Sequence, residues 1–439
     1  GPRCAKSGAP VVTTGGWAMD HHRVNDGNDS KAGDGLDGSD AATGLPSSWR
    51  TGVGIYGAAF FSLSMVPMAS ILVPLWMISI GATPMMVGLA IGMRSLLPFL
   101  LSIHGGVLMD RLGPRRVTLF VAITVTLLFP AYPLMPWFAA ILCLQAIFGI
   151  AQGLCWVGAQ TFYGWHMRGQ AGAAGKLVFF SNGGCFVGPL ILGAVAEHLG
   201  TYAGFGFLCL WALAMVGFTL LVPAEMFTRT SAPTRWRDLM PRFSDYRSAI
   251  GLCVMPVVMM VMIFTFIRIA NSSVQTSFYV VYLGQIHLGE TLIGALLGTA
   301  NFVGTVTPPL IQSLERRIPA LWVLVSATIA TILFMAVTPL IGSVPLLFLA
   351  SAAYGAGVGL GFPTLLTLLS RSIPKGEQGK SVGLRTSVNR LASLVVPVVM
   401  GAVAESFGIK ASFFVVAVAL LFGTGLTTFW VLRRPGLAH

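Results

Sequence analysis

The sequence predicts an all-α integral membrane protein: twelve transmembrane helices arranged as two pseudo-symmetric bundles of six. Three observations predict it. The chain is 55% hydrophobic and only 10% charged, whereas soluble domains carry about 25% charged residues. Its apolar residues fall into twelve long continuous stretches, each near the roughly 20 residues a spanning helix needs. The second half also repeats the first at a fixed offset. Transmembrane strands would instead give alternating segments of about ten residues.

In chain order, residues 1–48 are rich in Gly, Ser and Asp, have almost no apolar run, and read as a disordered, solvated tail. They lack the apolar core of a cleavable signal peptide. The expected spans are 50–78, 84–108, 117–134, 137–164, 172–197 and 202–222, then 250–283, 290–313, 319–340, 344–369, 380–404 and 411–432. A charged segment, 223–248, carries Pro223, Pro233 and Pro241 and separates an N-terminal bundle (49–222) from a C-terminal one (249–434). Residues 435–439 form a short tail. The halves realign at a shift of 208: "VGPLILGAVAEHLG" (187–200) matches "VVPVVMGAVAESFG" (395–408), pairing Pro189 with Pro397, Gly193 with Gly401, Glu197 with Glu405 and Gly200 with Gly408.

The net charge of +12 follows topology rather than nucleic acid. With the N-terminus inside, the loops after even-numbered spans carry Arg111, Arg115 and Arg116, then Arg229 through Arg247, then Arg316 and Arg317, then Arg371, Lys375 and Lys380. Among the outward loops only the last has a Lys or Arg, Lys410. This is the positive-inside pattern, so both termini are expected in the cytoplasm. Five of the six cysteines lie within spans, where no disulfide framework is expected.

Three motifs carry more. "GGVLMDRLGPRR" stands between spans two and three, with Gly106, Asp110, Arg111, Gly113 and Arg115 at the spacing G-x-x-x-D-R-x-G-x-R. Span five has Gly175, Gly184, Gly188, Pro189 and Gly193; Gly184 and Gly188 share a helix face that admits a close neighbour. Span four contains Gln152-Gly153, with Gly149 three residues before it. Together with twelve spans and a two-fold repeat, the first motif resembles the loop signature of the major facilitator superfamily, over residues of about 50 to 434. The span-five pattern is similar to one found in its drug and metabolite antiporter branches, with Leu192 where a glycine is expected. The resemblance implies that the 106–115 loop acts as a gate latch and that span five takes part in coupling. The bland alternatives are a topogenic charge cluster and a packing groove. The multidrug–proton branches usually place an arginine where Gly149 stands, and that departure argues against a standard polyspecific pump.

Charges within the bilayer are costly, at least ~2.5 kcal/mol on insertion scales, so each is a functional hypothesis. No carboxylate falls near mid-span, but Arg94, Arg268 and Arg390 do. Polar residues expected to join them are Gln145 and Gln152 in span four, Asn271 and Gln275 in span seven, and Asn301 in span eight. Guanidinium groups suit carboxylate or phosphate capture, so the expected cavity is electropositive and binds a small anion or zwitterion. Arg385 and Arg390 are about 140° apart around a helix of 3.6 residues per turn; Arg385 is therefore assigned to the cytoplasmic gate near Asp110 and Arg390 to the cavity. No metal-ligand cluster, Walker motif or nucleophile–base set is present in the sequence, so no cofactor and no enzymatic activity are expected. The leading expectation is a monomeric, multi-pass secondary transporter in the cell membrane. Its partners are the bilayer and a small solute, and it exports that solute in exchange for protons drawn down a proton gradient. The alternatives are proton-coupled uptake of an organic anion or siderophore, and a non-transporting membrane sensor or assembly partner of the same fold.

Overall fold

The computed structural model describes residues 49–101, 109, 112–166, 173–223, 251, 254–372 and 378–434. The expected N-terminal tail, Gly106, Asp110, Arg111, most of the 223–248 segment and the 435–439 tail lie outside them. The first six helices are α1 (Trp49–Ser79), α2 (Pro84–Leu100), α3 (Pro114–Leu134), α4 (Phe138–His166), α5 (Ala173–Leu199) and α6 (Thr201–Leu220). The second set is α7 (Pro256–Gln275), α8 (Phe278–Gln285), α9 (Glu290–Val306), α10 (Ala320–Val337), α11 (Val344–Ser372), α12 (Gln378–Phe407) and α13 (Ile409–Leu432). A short helix, Ile311–Glu315, and two 3₁₀ turns, Pro308–Leu310 and Thr338–Leu340, complete the described elements. No strand occurs among the described residues. Eleven helical segments are long and apolar enough to cross a membrane, with α7 and α8 counted together; α2 is a shorter apolar helix of 17 residues.

The expected boundaries are met where caps fix them. Thr83 accepts a hydrogen bond from the Met86 amide and Pro84 opens α2, so a side-chain cap and a pre-set φ start the helix. Gly200 and Gly408, paired in the sequence repeat, have φ of 89° and 85° and break the chain between α5 and α6 and between α12 and α13. Span seven departs from expectation. The predicted continuous helix over 250–283 starts instead at Pro256 and is broken after Gln275, with Thr276 and Ser277 outside helix. The apolar pattern runs through that break, so hydropathy alone does not register it. A discontinuous helix is tolerated at membrane depth where it lines a cavity, and Thr276 does line one.

Packing is close where side chains are absent. On α1, Trp211 of α6 donates its indole N–H to Ser64 Oγ at 2.8 Å and stacks edge-on to Phe61. At the end of the bundle holding the α1–α2 turn, Trp76, Tyr132 and Phe205 form a buried aromatic set. Exposed Phe120, Leu127, Leu210, Val418 and Phe422 form the apolar exterior that a bilayer covers.

Two inter-half seams are built alike. Along α5 and α9, a Cβ on Gly193 would meet the Glu290 carbonyl at 2.3 Å, and one on Gly294 would meet the Pro189 carbonyl at 2.3 Å. Along α12 and α2, a Cβ on Gly401 would meet the Pro84 carbonyl at 2.8 Å, and one on Gly88 the Pro397 carbonyl at 2.3 Å. The four glycines and two prolines thus sit at equivalent places, and only glycine lets the backbones approach this closely.

Candidate functional site: a cavity between arginines of two helices

The cavity is built on α2, α4, α7 and α12. Its volume is about 90 Å³ and it is lined by Arg94 and Ser95 of α2, Gly149 and Gln152 of α4, Ser273 and Thr276 at the break of span seven, and Arg390 and Ser393 of α12. Val66, Ile91 and Pro397 complete the lining. No carboxylate is among these residues.

Each cation is positioned by its backbone. A Cβ on Gly149 would fall 1.7 Å from the Arg94 carbonyl, so α2 and α4 are in backbone contact at the level of Arg94. The Arg94 guanidinium donates to Ser70 Oγ of α1 at 3.0 Å. Arg390 Nη2 lies over Gly153, 3.6 Å from where a Cβ would be. Gln152 donates to the Ser62 carbonyl at 3.0 Å, which fixes its amide at the wall. Ser273 and Ser393 approach to 3.4 Å and join α7 to α12. Arg94 and Arg390 come from opposite halves of the chain and line the same cavity as like charges. Like charges held near each other without a carboxylate create a site that favours an anion.

The other predicted residues divide. Arg268 does not line this cavity. It stands 5.0 Å from the centre of the Phe362 ring of α11, and Arg385 stands 5.5 Å from the same ring. Arg268 was expected to join Arg390 and instead stands with Arg385 against the Phe362 ring, with the Nε of each buried and unpartnered. Asp110, the expected partner of Arg385, lies outside the described residues. Gln275 is buried facing a separate small space with Tyr279, Ser351 and Tyr354, not the arginine cavity. Asn301 donates to the Leu297 carbonyl one turn back in its own helix at 3.0 Å and lies away from the cavity. Asn271 is buried on α7, and Gln145 is buried on α4 with its Oε1 unpartnered; neither is among the residues lining the cavity.

Of the loop motif, Arg115 donates to the Leu220 carbonyl at 3.2 Å, capping the end of α6. Gly113 precedes α3 with φ 85° and ψ 128°, a conformation essentially reserved for glycine. Gly113→Ala is expected to cost about 1–3 kcal/mol, read as a lower midpoint of thermal unfolding in detergent. In α5, a Cβ at Gly184 would meet the Phe60 carbonyl at 2.2 Å, one at Gly188 the Met68 sulfur at 2.7 Å, while Gly175 has open space. Gly184 and Gly188 therefore seat α5 on α1, and Gly193 seats it on α9.

Sequence reasoning missed Ser70, Ser273, Thr276, Ser393 and Phe362. Hydroxyls are common in spanning helices because they bond the preceding turn, so nothing in their spacing singles them out.

Membrane-length helices around a cavity lined from both halves of the chain are the layout of a membrane transporter. The family model of the Major Facilitator Superfamily matches residues 55–392 and 261–439, and the chain belongs to that family. The multidrug resistance protein MdtG of Serratia proteamaculans is 25% identical over 373 residues, 82% of this chain and 89% of that protein. Its counterpart from Rahnella sp. is 23% identical, with coverage of 82% and 89%. Among solved structures, the nucleoside transporter NupG superposes with a TM-score of 0.70 at 11% identity, covering 88% of this chain and 99% of its own. A peptide transporter POT in complex with sulfate gives 0.69 at 15% identity, with coverage of 88% and 96%. At those identities the structures speak for the fold alone.

Proposed function

We propose that the chain is a monomeric secondary transporter of the cell membrane that exports a small organic anion or zwitterion by alternating access, in exchange for protons. The observation that carries the substrate class is the cavity where Arg94 and Arg390 converge from opposite halves with no carboxylate in the lining. An anion held there bonds both halves at once, so its binding energy couples directly to their relative movement. Arg268 and Arg385 on Phe362 extend the same positive potential along the path, since Arg385 and Arg390 are separated by about 7.5 Å on one helix. At about 90 Å³ the cavity is smaller than the ~300 Å³ of a drug-sized pocket, so it must widen for anything larger than a compact anion. Export is supported by the multidrug resistance named for the relatives and by the Gly/Pro seam of α5. The basic loops support a topology with both termini in the cytoplasm.

The test is a thermal-shift screen of the purified protein against carboxylates, organic phosphates, amino acids and the lipophilic cation tetraphenylphosphonium. A ligand at 100 times its Kd stabilises by about 2.7 kcal/mol, a shift of several degrees. Stabilisation by anions or zwitterions is expected. Stabilisation by tetraphenylphosphonium alone would sink the substrate assignment.

A further inference from the structure

The repeated run Ala194-Val195-Ala196-Glu197 and Ala402-Val403-Ala404-Glu405 ends in two carboxylates that the cavity does not use. Each reaches the start of a helix in the other half. Glu197 of α5 accepts from the Thr291 amide of α9 at 2.8 Å. Glu405 of α12 accepts from the Met85 amide of α2 at 2.9 Å and from Thr83 Oγ1 at 2.9 Å. The equivalence continues inward, because Thr291 and Met85 each follow the residue whose carbonyl packs on Gly193 or Gly401.

We propose that Glu197 and Glu405 are paired positioning residues that hold the bundle closed at the end opposite the termini, each by capping a helix of the other half. The reading rests on alternating access but not on the substrate assigned above. The first turn of a helix presents unbonded N–H groups and a partial positive charge, and a carboxylate satisfies both. At α9 the demand is plain, since its N-cap residue is Gly289, which has no side chain to donate a cap. A Cβ there would lie 2.6 and 2.8 Å from the two Glu197 oxygens, so the glycine also leaves the space in which that carboxylate sits. When the halves part at this end all three bonds break and the two helix starts pass to water. Both carboxylates are exposed, so neither is needed to fill the core. Two matched carboxylate contacts across one gate make the closed state depend on both.

The experiment is hydrogen–deuterium exchange of the full chain in lipid nanodiscs, without substrate, comparing wild type with Glu197→Gln, Glu405→Gln and Gly289→Ala. Glutamine keeps the shape and removes the charge; Gly289→Ala displaces the Glu197 carboxylate without altering it. A shared latch predicts that each variant speeds exchange at both helix starts, 84–88 and 290–294, including the one it does not touch. The expected rise at the remote start is roughly two- to five-fold for each bond lost. Exchange that rises only at the variant's own helix would make these two local caps and overturn the proposal, as would no change at either. Because no substrate is present, failure of the anion assignment leaves this result standing, and failure here leaves that assignment untouched.

Discussion

Replacing Arg390 with alanine is expected to abolish saturable transport of the anionic substrate and to lower its affinity by roughly 10- to 100-fold, the equivalent of the ~1.5–3 kcal/mol of a charge-assisted hydrogen bond. The sign of the accompanying stability change makes the prediction sharp. Arg390 and Arg94 face one cavity as like charges, and no carboxylate in the lining offsets their mutual repulsion. Removing one charge relieves it, so the substrate-free Arg390→Ala protein unfolds at the same temperature as wild type or higher. An arginine retained for packing gives the opposite result, because the packing of its stem is lost with nothing regained. Arg390→Lys keeps the charge and loses the planar fork, so it retains stability like wild type with intermediate affinity. Transport assayed at matched abundance, beside thermal unfolding with and without ligand, separates the outcomes. Unchanged transport by Arg390→Ala would remove the cavity from the substrate path.

Much of the architecture was legible in the sequence because membrane helices are dictated by length and hydropathy, and because the repeat shows itself at Pro189 and Pro397 and at Gly200 and Gly408. The glycines of α5 were recognisable as a packing face; that Gly193 and Gly401 do the same work on different partners was implied by the repeat but not derivable from either helix alone. The cavity was half legible. Deep arginines stand out against apolar spans, yet which of them meet depends on how helices cross. Arg385 and Arg390 diverge on the wheel of α12, and the structure gives them different surroundings: Arg390 lines the cavity and Arg385 stands against Phe362. The neighbour the structure gives Arg385, the Phe362 ring, is one that sequence spacing does not reveal; Asp110 lies outside the described residues. The break after Gln275 was invisible for a related reason: Thr276 and Ser277 are ordinary in a spanning helix, and only the cavity beside Thr276 explains why the chain departs there.

Gly149 gives the other large effect, and it bears on how this chain departs from the pattern of the multidrug–proton branches it resembles. The resemblance places an arginine at that position in the multidrug–proton branches, and the natural supposition is that restoring it would restore their chemistry. The structure argues otherwise. A Cβ at 149 would lie 1.7 Å from the Arg94 carbonyl and 3.1 Å from its Cα, so the obstacle is the backbone of α2 and not a side chain that can rotate away. Even Gly149→Ala must push α2 and α4 apart by more than an ångström, and overpacking of cores costs typically about 1–3 kcal/mol; a backbone obstacle places this variant at or above the top of that range. Gly149→Arg is expected to give no folded peak on size-exclusion chromatography in detergent. The decisive comparison is Gly149→Arg combined with Arg94→Ala, which keeps the number of guanidiniums and moves one from α2 to α4. If the two arginines were interchangeable in charge alone, the double variant would recover. Since the contact is with the Arg94 carbonyl, which alanine retains, it is expected to stay unfolded. Gly153→Ala serves as the control one turn on: its Cβ meets only Arg390 Nη2, at an ordinary 3.6 Å, and the protein is expected to fold normally. Because the obstacle at 149 is the α2 backbone, moving the charge from α2 to α4 does not by itself make room for a side chain there.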